Sequence, residues 1–241
     1  MTRQEFISEC IRLFSCNGLA CPEKMADSLF RLTDRMLTVN QTMNLTAIKE
    51  EKAVILRHYV DSLTISAQIP QGASLLDVGC GAGFPTLPLA IARPDLTITA
   101  LDSTAKRIAY VKETAELLGL RNVTAIAGRA EEFAHQETYR ERFDVVTARA
   151  VAALPVLCEL CLPFARLGGT VIAMKSAQAE EEIAQSARCM ELCGGTLTKT
   201  ESCDLTDGET NETRTLIVIQ KTKPTPKIYP RHFSKISKKP L

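Results

Sequence analysis

LLDVGCGAGFPTLPLA, residues 75–90, sets Gly79, Gly81 and Gly83 at alternate positions directly behind a short apolar run that carries Asp77. Glycine accepts backbone angles closed to other residues, and with no Cβ it lets another group touch the main chain. In an open parallel sheet, ligands bind beyond the carboxyl ends of the strands, where the strand order reverses. The first strand-to-helix turn lies there. The stretch therefore reads as a turn shaped to hold a ligand against backbone.

Outward from this turn, short β-like runs alternate with helical patterns. SLLDV precedes Phe84–Arg93, TITALD precedes Thr104–Leu118, and NVTAIA precedes a short helix from Ala130. FDVVTA is followed by Leu154–Ala165, and TVIAMK by Ala177–Cys193. This rhythm means βαβ crossovers and a parallel sheet covered on both faces. TLTKTESCDL and TRTLIVIQ, joined by the turn-like TDGETNE, predict a closing antiparallel hairpin at the sheet edge. The fold class is α/β, a mostly parallel seven-stranded sheet within residues 71–221.

Residues 1–70 read as a small helical N-terminal subdomain. Thr2 and Glu5 make a capping box ahead of the apolar stripe Phe6, Cys10, Leu13 and Phe14. Pro22 suits the first turn of a second helix through Ala26, Leu29, Phe30 and Leu37. A third periodic segment holds Val54, Ile55, His58, Tyr59 and Leu63, and VNQTMNLTAIKEE before it reads as a loop in which Asn40 and Asn44 are organisers. In 222–241, Pro224, Pro226 and Pro230 argue against helix and for an extended tail.

The tail is also where the charge collects. Seven of the 29 Lys and Arg fall in 221–241 with no acid, so the other 22 face 28 acids, a net −6. An acidic body with a basic tail points to a polyanion contacted locally, although a merely solvated terminus gives the same composition. Arg3, Glu5, Glu9 and Arg12 interrupt any signal-peptide core, and no window reaches the length of a membrane span. Nine cysteines without small-scaffold spacing suit buried thiols in a reducing cytosol, so a cytoplasmic location is expected. Cys158-x-x-Cys161 and Cys189-x3-Cys193 sit in helical patterns without histidine or knuckle loops, so no metal site is expected.

A dinucleotide turn would read G-x-G-x-x-G. Here the third glycine comes one position early, and D-x-G-x-G-x-G resembles motif I of the Rossmann-like S-adenosylmethionine-dependent methyltransferases. That ligand has no phosphate, and its methionine ammonium suits an acidic turn. The second strand ends on Asp102, where a carboxylate accepts both ribose hydroxyls. TARAV, residues 147–151, offers neither the N-P-P-Y of adenine amino-methyltransferases nor the Pro-Cys nucleophile of cytosine-C5 enzymes. An atom that is already nucleophilic, such as guanine N7, needs neither; its methylation is mainly orientation and proximity. No catalytic residue is assigned.

Together with HYVDSL, NLTAI, GRAEEF and a terminal KKPL, these stretches resemble the glucose-inhibited division protein B family, the bacterial ribosomal RNA small-subunit methyltransferase G, over essentially the whole chain. The resemblance implies N7 methylation of a guanine in 16S ribosomal RNA or the small ribosomal subunit, with S-adenosylmethionine as donor and a monomeric enzyme. With the turn and strand-end readings it gives Gly79, Gly81, Phe84, Asp102, Ala130, Glu131 and Arg149 as cofactor residues, Arg149 serving either the cofactor or the orientation of the guanine, and His58, Asp61, Lys175, Arg231, Lys238 and Lys239 as RNA-side candidates. Thr86 stands where the family usually has glycine, Cys80 where it has threonine or serine, and HFSKISKKPL lacks the common Gly-Thr-Pro element. On the residues alone, His58 and Asp61 read equally as a buried pair, and Lys175 as a solvated lysine.

Two other functions share parts of this pattern. A methyltransferase of a small molecule or protein keeps the turn without needing the tail, and a non-catalytic RNA-binding assembly factor keeps the tail without needing the turn. Because the glycine turn and Asp102 precede the tail, removing the residues after Lys227 is expected to weaken RNA binding and leave cofactor affinity unchanged. Arg149→Ala is expected to leave the fold intact.

Overall fold

The computed structural model describes residues 1–176 and 179–241. Strands β1 (Ser74–Val78), β2 (Thr97–Asp102), β3 (Val123–Ala127), β4 (Phe143–Arg149), β5 (Ala165–Ser176), β6 (Gly195–Thr206) and β7 (Asn211–Lys221) form one sheet. Their order is β3-β2-β1-β4-β5-β7-β6. The first five are parallel; β7 runs antiparallel to β5, and β6 antiparallel to β7. From β1 the chain first winds to one side, through β2 and β3, and then crosses back to lay β4 on the other. That reversal opens a crevice at the carboxyl ends of β1 and β4.

Side chains alternate across the strands and build two cores. Leu75, Ile98, Val145 and Ile172 face one; Leu76, Leu101, Val146, Val171 and Ile217 face the other. Helices α5 (Thr86–Ala92) and α6 (Ala105–Leu118) cover the first face together with α1 (Arg3–Cys16), α2 (Glu23–Met43) and the helical run Glu51–Leu63. That run is α3 (Glu51–Val54), a π-helix over Ile55–Val60, and α4 (Asp61–Leu63). The second face takes α7 (Ala130–Phe133), α8 (Leu154–Cys161), α9 (Glu180–Cys193) and α10 (Phe233–Lys238). Phe6, Phe14, Leu29, Met36 and Tyr59 are fully buried in the same core as Leu75 and Ile98, so the N-terminal helices are one layer of the sheet's own sandwich.

Thr2 and Glu5 close the expected capping box reciprocally, at 2.7 and 3.3 Å. Elsewhere the boundaries move. Helix α2 runs on to Met43, into the stretch read as a loop, because Asn40 exchanges two 2.9 Å hydrogen bonds with the Thr46 backbone and Asn44 turns the chain in the left-handed region at φ 50°. Strand β5 begins at Ala165, where α8 was expected to end. The expected start of α9 at Ala177 lies outside the described residues; the helix is seen from Glu180.

The largest correction concerns the tail. It contains α10, since all three prolines precede it, His232 Nδ1 accepts from the Ser234 amide at 3.3 Å, and Ile236 is fully buried. The approach to α10 is tied down as well. Arg140 donates to the carbonyls of Thr225 (2.7 Å) and Tyr229 (3.0 Å), and His135 Nε2 meets the carbonyl of Pro230 at 2.9 Å. Lys221 is no part of a solvated tail. It is fully buried, donates to the carbonyls of Leu162 and Cys193 at 2.9 and 3.1 Å, and burial lowers its pKa.

Arg231 is likewise committed. It grips the fully buried Glu159 with its backbone N–H, Nε and a terminal nitrogen, at 2.8, 2.8 and 2.7 Å. Truncating one partner of such a pair strands the other charge in the core, at a cost of about 3–5 kcal/mol. Arg231→Met is therefore expected to lose about that much stability in denaturant unfolding, and the double variant Glu159→Met with Arg231→Met to regain most of it.

Candidate active site

The glycine turn is built by close packing. Gly79 sits at φ +73°, and a Cβ there would lie 2.6 Å from Cγ2 of Val151, the residue that follows β4 by two. The amides of Gly79 and Cys80 both donate to the carbonyl of Leu101, at 2.7 and 3.1 Å, which draws the turn against the end of β2. Gly83, at φ +86°, would place a Cβ 2.6 Å from Leu87. The Gly81 amide donates to Asp102 Oδ2 at 2.9 Å, and the Thr104 amide to Oδ1 at 2.8 Å. Asp102 is thus oriented by two backbone donors, with lone pairs left for a ligand.

Asp77 is fully buried on β1. Thr86 donates to its Oδ2 at 2.6 Å, Oδ1 has no partner, and burial raises the pKa to about 6. Threonine at the family's glycine position is accommodated as the donor to this acid.

Beyond the turn lies a cavity of ≈ 300 Å³ bounded by Gly79, Asp102, Ala130, Glu131, Leu160 and Phe233. Glu131 is buried and its Oε1 is without a partner. Two acceptors in a slot lined also by Val78, Leu101, Leu160, Arg107 and Arg129 suit an adenosyl group, which brings ribose hydroxyls and an amine as donors. Among the residues assigned to the cofactor from the sequence, Gly79, Asp102, Ala130 and Glu131 meet here, and Gly81 braces Asp102. Phe84 and Arg149 do not line this cavity.

They form a neighbouring cluster instead. Arg149, at the end of β4, donates to Asp61 Oδ2 (2.8 Å) and the Arg57 carbonyl (3.0 Å), and reaches His58 Nδ1 at 3.3 Å. His58 stacks on Phe84 with ring centroids 4.3 Å apart, and the guanidinium lies 5.6 Å from the same ring. All the N-terminal partners come from the π-helix and the turn after it, whose wider winding brings Arg57, His58 and Asp61 to one guanidinium. Burial and the Arg149 charge push the His58 pKa down to about 3. The neutral ring accepts from Arg149, so its Nε2–H donates to Thr46 at 2.9 Å. His58 and Asp61 are therefore a buried pair, as one of the two sequence readings had it, with Arg149 as the partner the sequence did not reveal.

This cluster walls a second cavity of ≈ 400 Å³, which also takes in Met174, Lys175 and Arg214. Ala150 borders both cavities, in the left-handed region at φ 55° that costs an alanine about 1 kcal/mol. Lys175 is held by Glu182 (2.7 Å) and the Ala152 carbonyl (3.0 Å), so it braces the loop after β4. Arg231 is bound to Glu159, while Lys238 and Lys239 are exposed on and just after α10. Arg214 and Val151 were not singled out from the sequence, and Phe233 was not assigned to the site. Arg214 sits in an ordinary alternating strand, and nothing local marks its 3.4 Å approach to Asp61.

The reversal crevice, the acid at the end of β2 and the adenosyl-sized slot define an S-adenosylmethionine-dependent methyltransferase of the Rossmann-like class. Solved structures share this fold at low identity. The M. jannaschii TYW2 structure in complex with AdoMet aligns over 67% of this chain and 76% of its own, with TM-score 0.52 and 15% identity. The YcgJ protein from Bacillus covers 68% and 98%, with TM-score 0.51 and 12% identity. A family model for rRNA small subunit methyltransferase G matches residues 25–233. Relatives named ribosomal RNA small subunit methyltransferase G are 42% identical in Lactobacillus acidophilus and 40% in Leuconostoc citreum, each over 100% of both chains. One in Lachnoclostridium phytofermentans is 46% identical over 86% of each. The chain belongs to the rRNA small subunit methyltransferase G family. No helix among the described residues is long and apolar enough to cross a membrane.

Gly79→Ala introduces both a strained φ and the contact with Val151. The free turn should relax away from the binding conformation, weakening S-adenosylmethionine binding by about five- to thirty-fold in titration calorimetry, the equivalent of the 1–2 kcal/mol a left-handed alanine costs. Adding Val151→Ala relieves the contact but not the dihedral, so recovery should be partial.

His58 makes stability depend on pH. Its folded pKa lies below the unfolded one, so between pH about 6.5 and 3 the unfolded chain binds a proton that the folded chain refuses. Stability should fall as the pH is lowered through that window, by up to about 1.4 kcal/mol per unit. Asp77, its pKa raised by burial, works in the opposite sense. Denaturant unfolding at pH 7, 6 and 5 should therefore show the slope as the difference between wild type and His58→Gln.

Proposed function

We propose that the chain transfers the methyl group of S-adenosylmethionine to N7 of a guanine in 16S ribosomal RNA, working as a monomer in the cytosol. The substrate class follows from the relatives, which are named for the RNA of the small ribosomal subunit. The choice of atom rests on one observation: the ionisable side chains around the second cavity are already engaged. His58 accepts from Arg149, Asp61 is bonded to Arg149, and Lys175 is paired with Glu182. Among the described residues lining it, none stands free to strip a proton from an incoming amine or hydroxyl. Guanine N7 offers a lone pair and needs no such step.

S-adenosylmethionine, when bound, supplies the electrophilic methyl group. The chain's part is placement. Asp102 and Glu131 hold the adenosyl end, and the Gly79–Val151 contact sets the floor between the two cavities. Arg149 keeps the far wall in position, and Arg57 at its rim is paired with Glu212. Orientation of two reactants at contact distance accounts for most of the rate in such a reaction. The nine free thiols fit a reducing compartment.

Labelled methyl transfer to unmodified small subunits, followed by borohydride–aniline treatment of the 16S RNA, tests the proposal. One new scission site is expected, since only N7-methylated guanine is cleaved. Label in RNA that resists scission, or label only in protein, overturns it. Arg149→Ala is expected to lower the transfer rate on the order of a hundred-fold, the scale of a misplaced reactive wall. Because the variant leaves Asp61 with only the 3.4 Å approach of Arg214 and removes a donor from His58, the melting temperature should fall as well, in place of an untouched fold.

A further inference from the structure

Phe233 is among the few large apolar side chains left partly exposed, at 37%, and it borders the cofactor cavity. Its position is heavily enforced for a residue so close to the end of the chain. Two residues before it, Arg231 is clamped to the buried Glu159. One residue before it, His232 caps α10, and three residues after it the side chain of Ile236 is fully buried beside α8. Pro230 is bonded to His135, just past α7, the helix that brings Ala130 and Glu131 to the same cavity. None of these contacts buries the Phe233 ring. They deliver it to the edge of a slot whose other members are an unpartnered acid and an acid oriented for a ribose.

We infer that Phe233 is a cofactor-binding residue: its ring forms the α7–α8 side of the cavity and packs on the adenosyl end of the bound ligand. Asp102 is placed to take the ribose, and Ala130 and Glu131 at the start of α7 line the same slot as Phe233, so a base lying past the ribose against Glu131 meets the ring at the slot's edge. A flat aromatic wall left open to solvent gains by covering a heterocycle, and stacking of this kind is worth a loss of roughly ten-fold in affinity when the ring is removed. The inference rests on the cofactor assignment alone and stands whichever base or molecule is methylated. It also reverses the expectation that removing the residues after Lys227 spares cofactor affinity, because that deletion takes away one wall of the slot.

Titration calorimetry of the full-length protein with S-adenosylhomocysteine and with methylthioadenosine tests this, beside thermal melts without ligand. Phe233→Ala should weaken both ligands by a similar factor, on the order of ten-fold, while melting with wild type. Phe233→Tyr should restore both. Wild-type affinity in Phe233→Ala overturns the inference. So does a loss confined to S-adenosylhomocysteine, which would put the ring at the amino-acid end. Equal losses in the Ala and Tyr variants, in step with lowered melting, would make the ring a structural part only and overturn it too.

Discussion

A run of parallel strands presents two apolar faces, and both must be covered before the sheet is stable. In this chain the crossover helices α5 and α6 cover only part of the first face. The rest falls to α1, α2 and the helical run Glu51–Leu63, which bury Phe6, Phe14, Leu29, Met36 and Tyr59 against it. Each such side chain contributes about 1.5–3 kcal/mol when fully buried. Covering that face also carries the π-helix and α4 to the carboxyl end of β4, where Arg57, His58 and Asp61 meet Arg149. The wall of the second cavity is thus a by-product of finishing the core.

Two buried charge pairs divide the labour of placing the chain's ends. Arg149–Asp61 ties the N-terminal layer to the sheet, and Arg231–Glu159 ties the last segment to α8. Burying charge is a poor way to gain stability, since desolvation offsets much of the attraction. What such pairs supply is position: a planar guanidinium satisfied by two or three acceptors tolerates little sliding. Both pairs act near the crevice.

What could be read from the sequence, and what could not, divides by range of contact. Asp77, the alternate glycines and Asp102 announce themselves because their constraints are local: a dihedral, a turn, the end of a strand. The alternation of strands and helices is local too, and the seven strands stand in the sheet with the expected closing hairpin. Arg149 was singled out, but its partners lie up to 92 residues away and its role in holding them had no local signature. The tail misled for the same reason. Lys221 and Arg231 counted as free cations until the fold gave them the Cys193 carbonyl and Glu159 as partners. Neither Phe233 nor Arg214 was marked as a site residue, because what makes them notable is only the cavity they border.

That the slot draws one wall from residue 233 has a consequence for the order of biosynthesis. Chains emerge from the ribosome amino end first, and domains fold as units as they emerge. The sheet, the glycine turn and Asp102 are in hand once β7 is made, yet α10 follows β7 in the chain. A chain made only as far as β7 therefore holds a slot without its Phe233 wall, and the cavity is completed only when α10 has been made and has docked.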